Sequence, residues 1–189
     1  AGADVIPVDI GVMGEIKEPG VRNCRIANGT NNMRKEPVMS REQALEALHT
    51  GIRLASELKD SGYDLLAVGE MGIGNTTTSS AVASVLLQAP VELVTGRGAG
   101  LSNAGLEKKI EVIKEAIALH HPDPEDPLVV LEAVGGFDIA GMCGLMLGGA
   151  IYRIPVVLDG LISLMAALLA QKFCPLVADF LLPSHMGKE

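Results

Sequence analysis

Apolar runs and helical periods alternate along the chain. The apolar runs show little internal alternation with polar residues, as expected of strands that are buried on both faces of a sheet. They predict strands over 5–12, 63–70, the start of 91–100, 155–160 and 178–184. Segments with helical spacing of apolar positions predict helices over 40–62, 76–88, 106–121, 137–153 and 161–173. This alternation predicts the α/β class, with one parallel sheet and helices on both faces.

Local signals define several helix boundaries. Ser40 and Gln43 have the spacing of a capping box, and Gly62 is a typical residue after a helix end. The apolar faces of the two longest helices are predicted to contain Leu45, Leu48, Ile52 and Ala55 in 40–62, and Leu106, Ile110, Ile113 and Ile117 in 106–121.

The segment 126–136 allows two interpretations. Asp126 as N-cap and Pro127 in the first turn favour a helix, whereas the β-branched residues that follow favour a strand. We prefer the helix. The whole chain, residues 1–189, is expected to form a single α/β domain.

In open parallel sheets, ligands bind beyond the carboxyl ends of the strands. The segments that follow predicted strands are 69–75, 95–100, 159–160 and 184–185. Polar and glycine residues dominate these segments, so the sequence predicts a binding site at that edge of the sheet. The turn-rich segment 13–39 is expected to be a long loop.

Composition and charge exclude several classes of function. The formal net charge is −8, which argues against binding to nucleic acid or to an anionic membrane surface. The longest apolar region, 139–170, is interrupted by Arg153, Pro155 and Asp159 and does not resemble a membrane span. The three cysteines and four histidines lack metal-ligand spacing, so we expect reduced thiols, no metal site and a cytoplasmic protein.

The sequence GEMGIGNTTTSSA (69–81) places Glu70 among Gly69, Gly72 and Gly74 and ahead of Asn75. A carboxylate in such a turn can face a ligand and stabilise positive charge that develops during a reaction. It can equally be a turn acid that is bonded to nearby backbone amides. The five hydroxyl residues 76–80 open a helix and are expected mainly to cap it or to pack.

A second glycine-rich loop, TGRGAG (95–100), can present backbone amides to an anion. Lys109 follows on the next helix and can supply a positive charge for one phosphate. Alternatively, Lys108 and Lys109 form a solvated helix face with Glu107 and Glu111.

Five motifs occur in order: GEMGIGNTTTSSA, VTGRGAGL, VGGFDIAGM, PVVLDG and LLPSHM. Together they resemble the nicotinate-nucleotide–dimethylbenzimidazole phosphoribosyltransferase family of cobalamin biosynthesis. The resemblance implies a parallel sheet in a Rossmann-like arrangement, and a homodimeric enzyme that needs no metal or organic cofactor. It implies transfer of the phosphoribosyl group of nicotinate mononucleotide to 5,6-dimethylbenzimidazole, giving α-ribazole 5′-phosphate and nicotinate.

The resemblance also implies roles for individual residues. Glu70 would stabilise the oxocarbenium-like ribose in the transition state. The loop residues Gly96, Arg97, Gly98 and Ala99, together with Lys109, would bind the 5′-phosphate. The remaining substrate-binding positions would be Gly72, Asn75, Thr76, Asp138, Asp159, Gly160, Ser184 and His185.

One departure from the family pattern concerns the general base. The family carries a glutamate in a motif similar to RLGEGTGA, and this motif does not occur in the sequence. We therefore expect the core of a longer transferase, which holds the nucleotide and is inactive by itself. The alternative is a non-catalytic nucleotide-binding module. A dehydrogenase-type dinucleotide domain is disfavoured, because Glu92 begins its predicted strand instead of ending it.

Overall fold

The computed structural model describes residues 2–185. Within these residues, the α-helices are α1 (Arg41–Asp60), α2 (Thr76–Leu87), α3 (Asn103–His120), α4 (Pro127–Val134), α5 (Phe137–Tyr152) and α6 (Leu161–Phe173). The strands are β1 (Val8–Asp9), β2 (Arg22–Asn23), β3 (Leu66–Ala67), β4 (Val156–Leu158) and β5 (Leu181–Pro183). Two 3-10 helices span Val91–Leu93 and Pro175–Phe180.

The strands form two small parallel sheets. The first pairs β1 with β2, and β2 lies inside the segment that we predicted to be a long loop. The second has the order β3-β4-β5, with Leu66 opposite Val156 and Val156 opposite Leu181. The α/β class and the parallel pairing are confirmed, but the strands are only two or three residues long and do not form one continuous sheet.

The strand predicted at the start of 91–100 is wrong. Val91–Leu93 forms a 3-10 helix after Pro90, and the Val91 carbonyl accepts from the Val94 amide and from Thr95 Oγ1 at 2.6 Å. Leu93 is 79% exposed, which a strand buried on both faces would not allow. These local hydrogen bonds turn the chain, so the glycine-rich loop that follows does not continue a strand.

Helix boundaries agree with the local signals. Ser40 and Gln43 make the reciprocal hydrogen bonds of a capping box, and Gly62 follows the C-cap with a φ of +88°. Asp126 caps α4 through bonds from the Leu128 and Val129 amides, which confirms the helix. The prediction that Leu45 belongs to the buried face of α1 is wrong, because Leu45 is 48% exposed, whereas the neighbouring Ala44, Ala47 and Leu48 are buried.

Helices α1 and α5 cross at backbone contact distance. An added Cβ on Gly51 would lie 2.0 Å from the Gly141 carbonyl oxygen, and one on Gly144 would lie 2.0 Å from that of Leu48. Gly148 packs in the same way against Ala55. The small residues therefore let the two helix backbones touch.

Candidate active site

The second sheet brings three of the predicted segments to one edge. Strands β3, β4 and β5 are parallel and in register, so their carboxyl ends point the same way. Glu70 follows β3 after a short link, Asp159 and Gly160 follow β4, and Ser184 and His185 follow β5. The predicted edge is thus assembled from segments far apart in sequence.

Helix N-termini at this edge lack side-chain caps. Asn75, Gly136 and Gly160 precede α2, α5 and α6, and none of the three supplies a side-chain hydrogen bond to its helix. By contrast, α1, α3 and α4 are capped by the side chains of Ser40, Ser102 and Asp126. The amides of an uncapped first turn and the positive end of its helix dipole favour a negatively charged ligand.

Glu70 is half-buried and held by its own turn. Its Oε2 accepts a hydrogen bond from the Gly72 amide and another, at 2.6 Å, from Asn75 Nδ2. Gly72 and Gly74 have φ of +67° and +77°, a backbone region that favours glycine. Glu70 is therefore a turn acid bonded to nearby groups, as one of the two interpretations predicted. Within the described residues, both hydrogen bonds to its carboxylate reach Oε2.

Asn75 links this turn to the start of α5. Its Nδ2 also donates to Asp138 Oδ2 at 2.7 Å, so one amide group bonds two carboxylates. Burial raises the pKa of the Asp138 carboxyl above its ordinary value, and the charge of Glu70 acts in the same direction, against the hydrogen bond from Asn75. A Cβ on Gly136 would lie 2.5 Å from Asp138 Oδ1, so glycine makes room for this carboxylate.

Lys109 joins the second glycine-rich loop to the start of α2. Its Nζ donates to Thr76 Oγ1 at 3.1 Å and to the Gly96 carbonyl at 3.0 Å. Lys109 is only 6% exposed, whereas Lys108 is exposed and paired with Glu111 at 2.6 Å. The solvated-face interpretation therefore describes Lys108 and does not describe Lys109.

Arg97 forms hydrogen bonds to residues that follow in the same segment, and Gly98 contacts the first residue of α2. Arg97 donates to the Leu101 carbonyl at 2.8 Å and to Asn103 Oδ1 at 2.5 Å. Gly98 has a φ of +55°, and an added Cβ would lie 2.9 Å from Thr76 Oγ1. Gly98 thus lies against the first residue of α2, while Ala99 is exposed.

Asp159, Ser184 and His185 are exposed on the remaining part of the edge. The Asp159 amide donates to Ser163 Oγ at 3.0 Å, and that hydroxyl donates to the Gly160 carbonyl. Ser184 Oγ and His185 Nδ1 are 2.7 Å apart. Within residues 2–185, no hydrogen bond connects these residues to the set formed by Glu70, Asn75, Thr76, Lys109 and Asp138.

Two structural contributors were missed from the sequence. Ser163 orients the turn after β4, and Gly136 accommodates Asp138. The Ser163 signal was present, because a serine in the first turn of a helix commonly bonds nearby backbone. Three of the hydroxyl residues that open α2 are buried, in agreement with packing, and their hydroxyls donate to the carbonyls of Asn75 and Thr76 instead of capping the helix: Thr78, Ser79 and Ser80.

The described residues also bear on metal and membrane binding. Among residues 2–185, no group of three or more histidine, cysteine or acidic side chains is placed to hold a metal ion. No helix in this range combines the length and apolar character needed to cross a bilayer.

Comparison with known proteins identifies the chain's relatives. Residues 1–189 match the DBI_PRT model, described as phosphoribosyltransferase. The nicotinate-nucleotide–dimethylbenzimidazole phosphoribosyltransferase of Clostridium acetobutylicum is 55% identical over 189 residues, which are 100% of this chain and 54% of that protein. The enzyme of the same name from Ruminiclostridium cellulolyticum is 51% identical over 99% of this chain and 53% of its own length.

Solved structures agree with the sequence matches. A crystal structure of CobT from Thermus thermophilus is similar with a TM-score of 0.88 and 39% identity, over 94% of this chain and 54% of that one. The chain spans about half the length of the relatives it matches. The family match nevertheless covers every residue of the sequence. The chain therefore belongs to the nicotinate-nucleotide–dimethylbenzimidazole phosphoribosyltransferase family.

Proposed function

We propose that this chain forms the nucleotide-binding core of a longer, homodimeric phosphoribosyltransferase and that it binds nicotinate mononucleotide at the carboxyl edge of the second sheet. In the complete reaction, the pyridine nitrogen of nicotinate leaves ribose C1′ with the electron pair of the breaking bond. A nitrogen of 5,6-dimethylbenzimidazole forms the new bond to C1′ with its lone pair, and the ring N–H proton passes to a general base. The products are nicotinate and α-ribazole 5′-phosphate. The proposal includes no metal or organic cofactor.

The observation that carries this proposal is the junction between α2 and the second glycine-rich loop. A buried ammonium group, that of Lys109, lies at the uncapped N-terminus of α2 and bonds Thr76 and Gly96. Helix amides, a glycine-rich loop and a lysine are the groups that bind a phosphate in many nucleotide sites. We assign the 5′-phosphate to this junction, with Gly96, Arg97, Gly98 and Ala99 forming the loop around it.

Glu70 is the proposed catalytic carboxylate. As nicotinate leaves, positive charge develops on ribose C1′ and its ring oxygen. A fixed negative charge nearby stabilises that charge more than it stabilises the ground state. The bonds from Gly72 and Asn75 hold the Glu70 carboxylate in place before the substrate binds. The remaining substrate contacts are proposed to come from Gly72, Thr76, Asp138, Asp159, Gly160, Ser184 and His185, whereas Asn75 bonds Glu70 and Asp138.

A general base is not assigned to this chain. The RLGEGTGA-like motif expected to supply it does not occur among the 189 residues. We therefore propose nucleotide binding without turnover as the property of this chain by itself. The same observation favours a second candidate, a non-catalytic nucleotide-binding module. A transferase assay, with this chain alone and with the remaining half of the protein added, separates the two.

Titration calorimetry with nicotinate mononucleotide tests the binding proposal. Lys109→Met should weaken binding by about 10- to 100-fold, because a charge-assisted hydrogen bond contributes about 1.5–3 kcal/mol. Lys108→Met is the matched control and should bind as the wild type does, since Lys108 is exposed and paired with Glu111. Glu70→Gln should bind a few-fold more weakly, because the nicotinate ring carries positive charge.

Circular dichroism establishes that each variant is folded. Equal weakening by Lys108→Met and Lys109→Met would contradict the phosphate assignment. No binding to folded wild-type chain would overturn the proposal that this half holds the nucleotide by itself.

A further inference from the structure

The side-chain amide of Asn75 lies between two carboxylates from different elements. Its Nδ2 is 2.6 Å from Glu70 Oε2 and 2.7 Å from Asp138 Oδ2, and these residues are separated by 68 positions along the chain. Each hydrogen of one NH2 group therefore serves one carboxylate. Without this donor the two negative oxygens would face each other across the same space.

The two carboxylates determine the orientation of the amide. Ionised carboxylates are acceptors only, so the amide must turn Nδ2 toward them and Oδ1 away. In the described residues Oδ1 is buried without a hydrogen-bond partner. A buried unsatisfied oxygen costs about 1–3 kcal/mol, so the alternative orientation must be less favourable still. The two hydrogen bonds to the carboxylates therefore outweigh the cost of leaving Asn75 Oδ1 without a hydrogen-bond donor.

We propose that Asn75 is a positioning residue for Glu70: it fixes the Glu70 carboxylate and couples it to the charge of Asp138. The catalytic role of Glu70 in this inference rests on the proposed function, whereas the coupling of the two carboxylates rests on the Asn75 hydrogen bonds. Asn75 and the Gly72 amide both bond Oε2, which leaves Oε1 as the oxygen that faces a ligand. This assignment differs from direct contact between the Asn75 amide and substrate, because both of its hydrogens are engaged within the protein.

The surroundings of Asp138 support the coupling. Burial raises the pKa of this carboxyl, the charge of Glu70 raises it further, and the Asn75 hydrogen bond lowers it. Glu70 is the charged group that acts on Asp138 among the described residues. The Asn75 hydrogen bond therefore opposes the effects that burial and the charge of Glu70 have on the pKa of Asp138.

A carboxyl-resolved NMR titration of the free chain tests this inference. In Asn75→Leu, which removes the donor at nearly constant size, the titration midpoint of Asp138 should rise, because the Asn75 hydrogen bond lowers the pKa of that carboxyl. In Glu70→Gln, which removes the like charge, the midpoint of Asp138 should fall. Gln171→Leu removes an exposed amide at the far end of α6 and should leave this midpoint unchanged.

The two variants keep the test decisive if one of them does not fold. An unchanged Asp138 midpoint in whichever of Asn75→Leu and Glu70→Gln is folded would overturn the coupling, since a residue that only packs would not change that midpoint. The titration needs no substrate. A wild-type chain that fails to bind nicotinate mononucleotide would thus count against the proposed function and leave the Asn75 result to stand by itself.

Discussion

The contact between α1 and α5 leads to a quantitative prediction for Gly144→Ala. Gly144 is buried in α5, and its added Cβ would lie 2.0 Å from the Leu48 carbonyl oxygen and 2.7 Å from the Leu48 carbonyl carbon. Ordinary van der Waals contact needs about 3.5 Å, so the helices would have to separate by more than about 1 Å. The obstructing atoms belong to backbone, so no change of side-chain rotamer relieves the contact.

Two opposing contributions set the size of the effect. Replacing glycine by alanine inside a helix favours folding by about 1 kcal/mol. Forcing extra volume into a packed contact costs about 3 kcal/mol, the upper part of the usual range, because the neighbour is rigid. We therefore expect Gly144→Ala to lower the free energy of unfolding by about 2 kcal/mol. For a chain of this size, that corresponds to a fall in Tm of about 4–8 °C.

Urea and thermal unfolding followed by circular dichroism at 222 nm measure this, since the chain has no tryptophan to report by fluorescence. Gly105→Ala in the first turn of α3 is the matched control. Its added Cβ would meet the flexible Leu101 side chain at 3.2 Å, so we expect unchanged or slightly higher stability. A Gly144→Ala variant as stable as the wild type, within about 0.5 kcal/mol, would refute the close helix contact.

Three further predictions concern the site and a helix cap. Gly98→Ala should lower the free energy of unfolding by about 2 kcal/mol and weaken nicotinate mononucleotide binding, because the left-handed backbone is strained for alanine and the new Cβ would lie 2.9 Å from Thr76 Oγ1. Gly62→Ala has similar backbone strain but no atom within 4 Å of the new Cβ, so it should cost about 1 kcal/mol and leave binding unchanged. Because the pKa of Asp138 is raised in the folded protein, its carboxyl contributes fully to stability below the ordinary pKa of 3.8, and this contribution is lost as pH rises through the folded pKa. Urea unfolding should therefore show that Asp138→Asn gains stability relative to wild type from pH 3.5 to pH 7, and a difference that stays constant with pH would contradict this. Asp126→Ala should cost about 1 kcal/mol in the same assay by removing the α4 cap, and a loss below about 0.3 kcal/mol would argue against that cap.

Features that depend on adjacent residues were predictable from the sequence. The capping box of Ser40 and Gln43 and the cap at Asp126 each involve atoms within three residues of one another, so a short pattern specifies them. Strand length was not predictable in this way, because it depends on how far a neighbouring strand continues the pairing. The run at 91–95 shows the limit, since local bonds from Val94 and Thr95 override its strand-like composition.

Within the candidate site, single positions were predictable and their connections were not. The position of Glu70 in a glycine turn could be derived from the sequence. The burial of Lys109 could not, because it depends on Thr76, 33 residues away, and on Gly96, 13 residues away. The bond between Asn75 and Asp138 spans 63 residues and likewise requires the fold.

The hydrogen bonds of Asn75 explain why α2 begins without a side-chain cap. Asparagine is among the best N-cap residues, and a cap contributes about 1 kcal/mol. Asn75 precedes α2, yet it donates to Glu70 and Asp138, and its Oδ1 does not accept from the first turn. The first-turn amides of α2 are consequently available beside Lys109. Asn75 therefore does not stabilise α2 as a cap. It holds the proposed catalytic carboxylate of Glu70 and leaves the N-terminus of α2 open to the proposed phosphate.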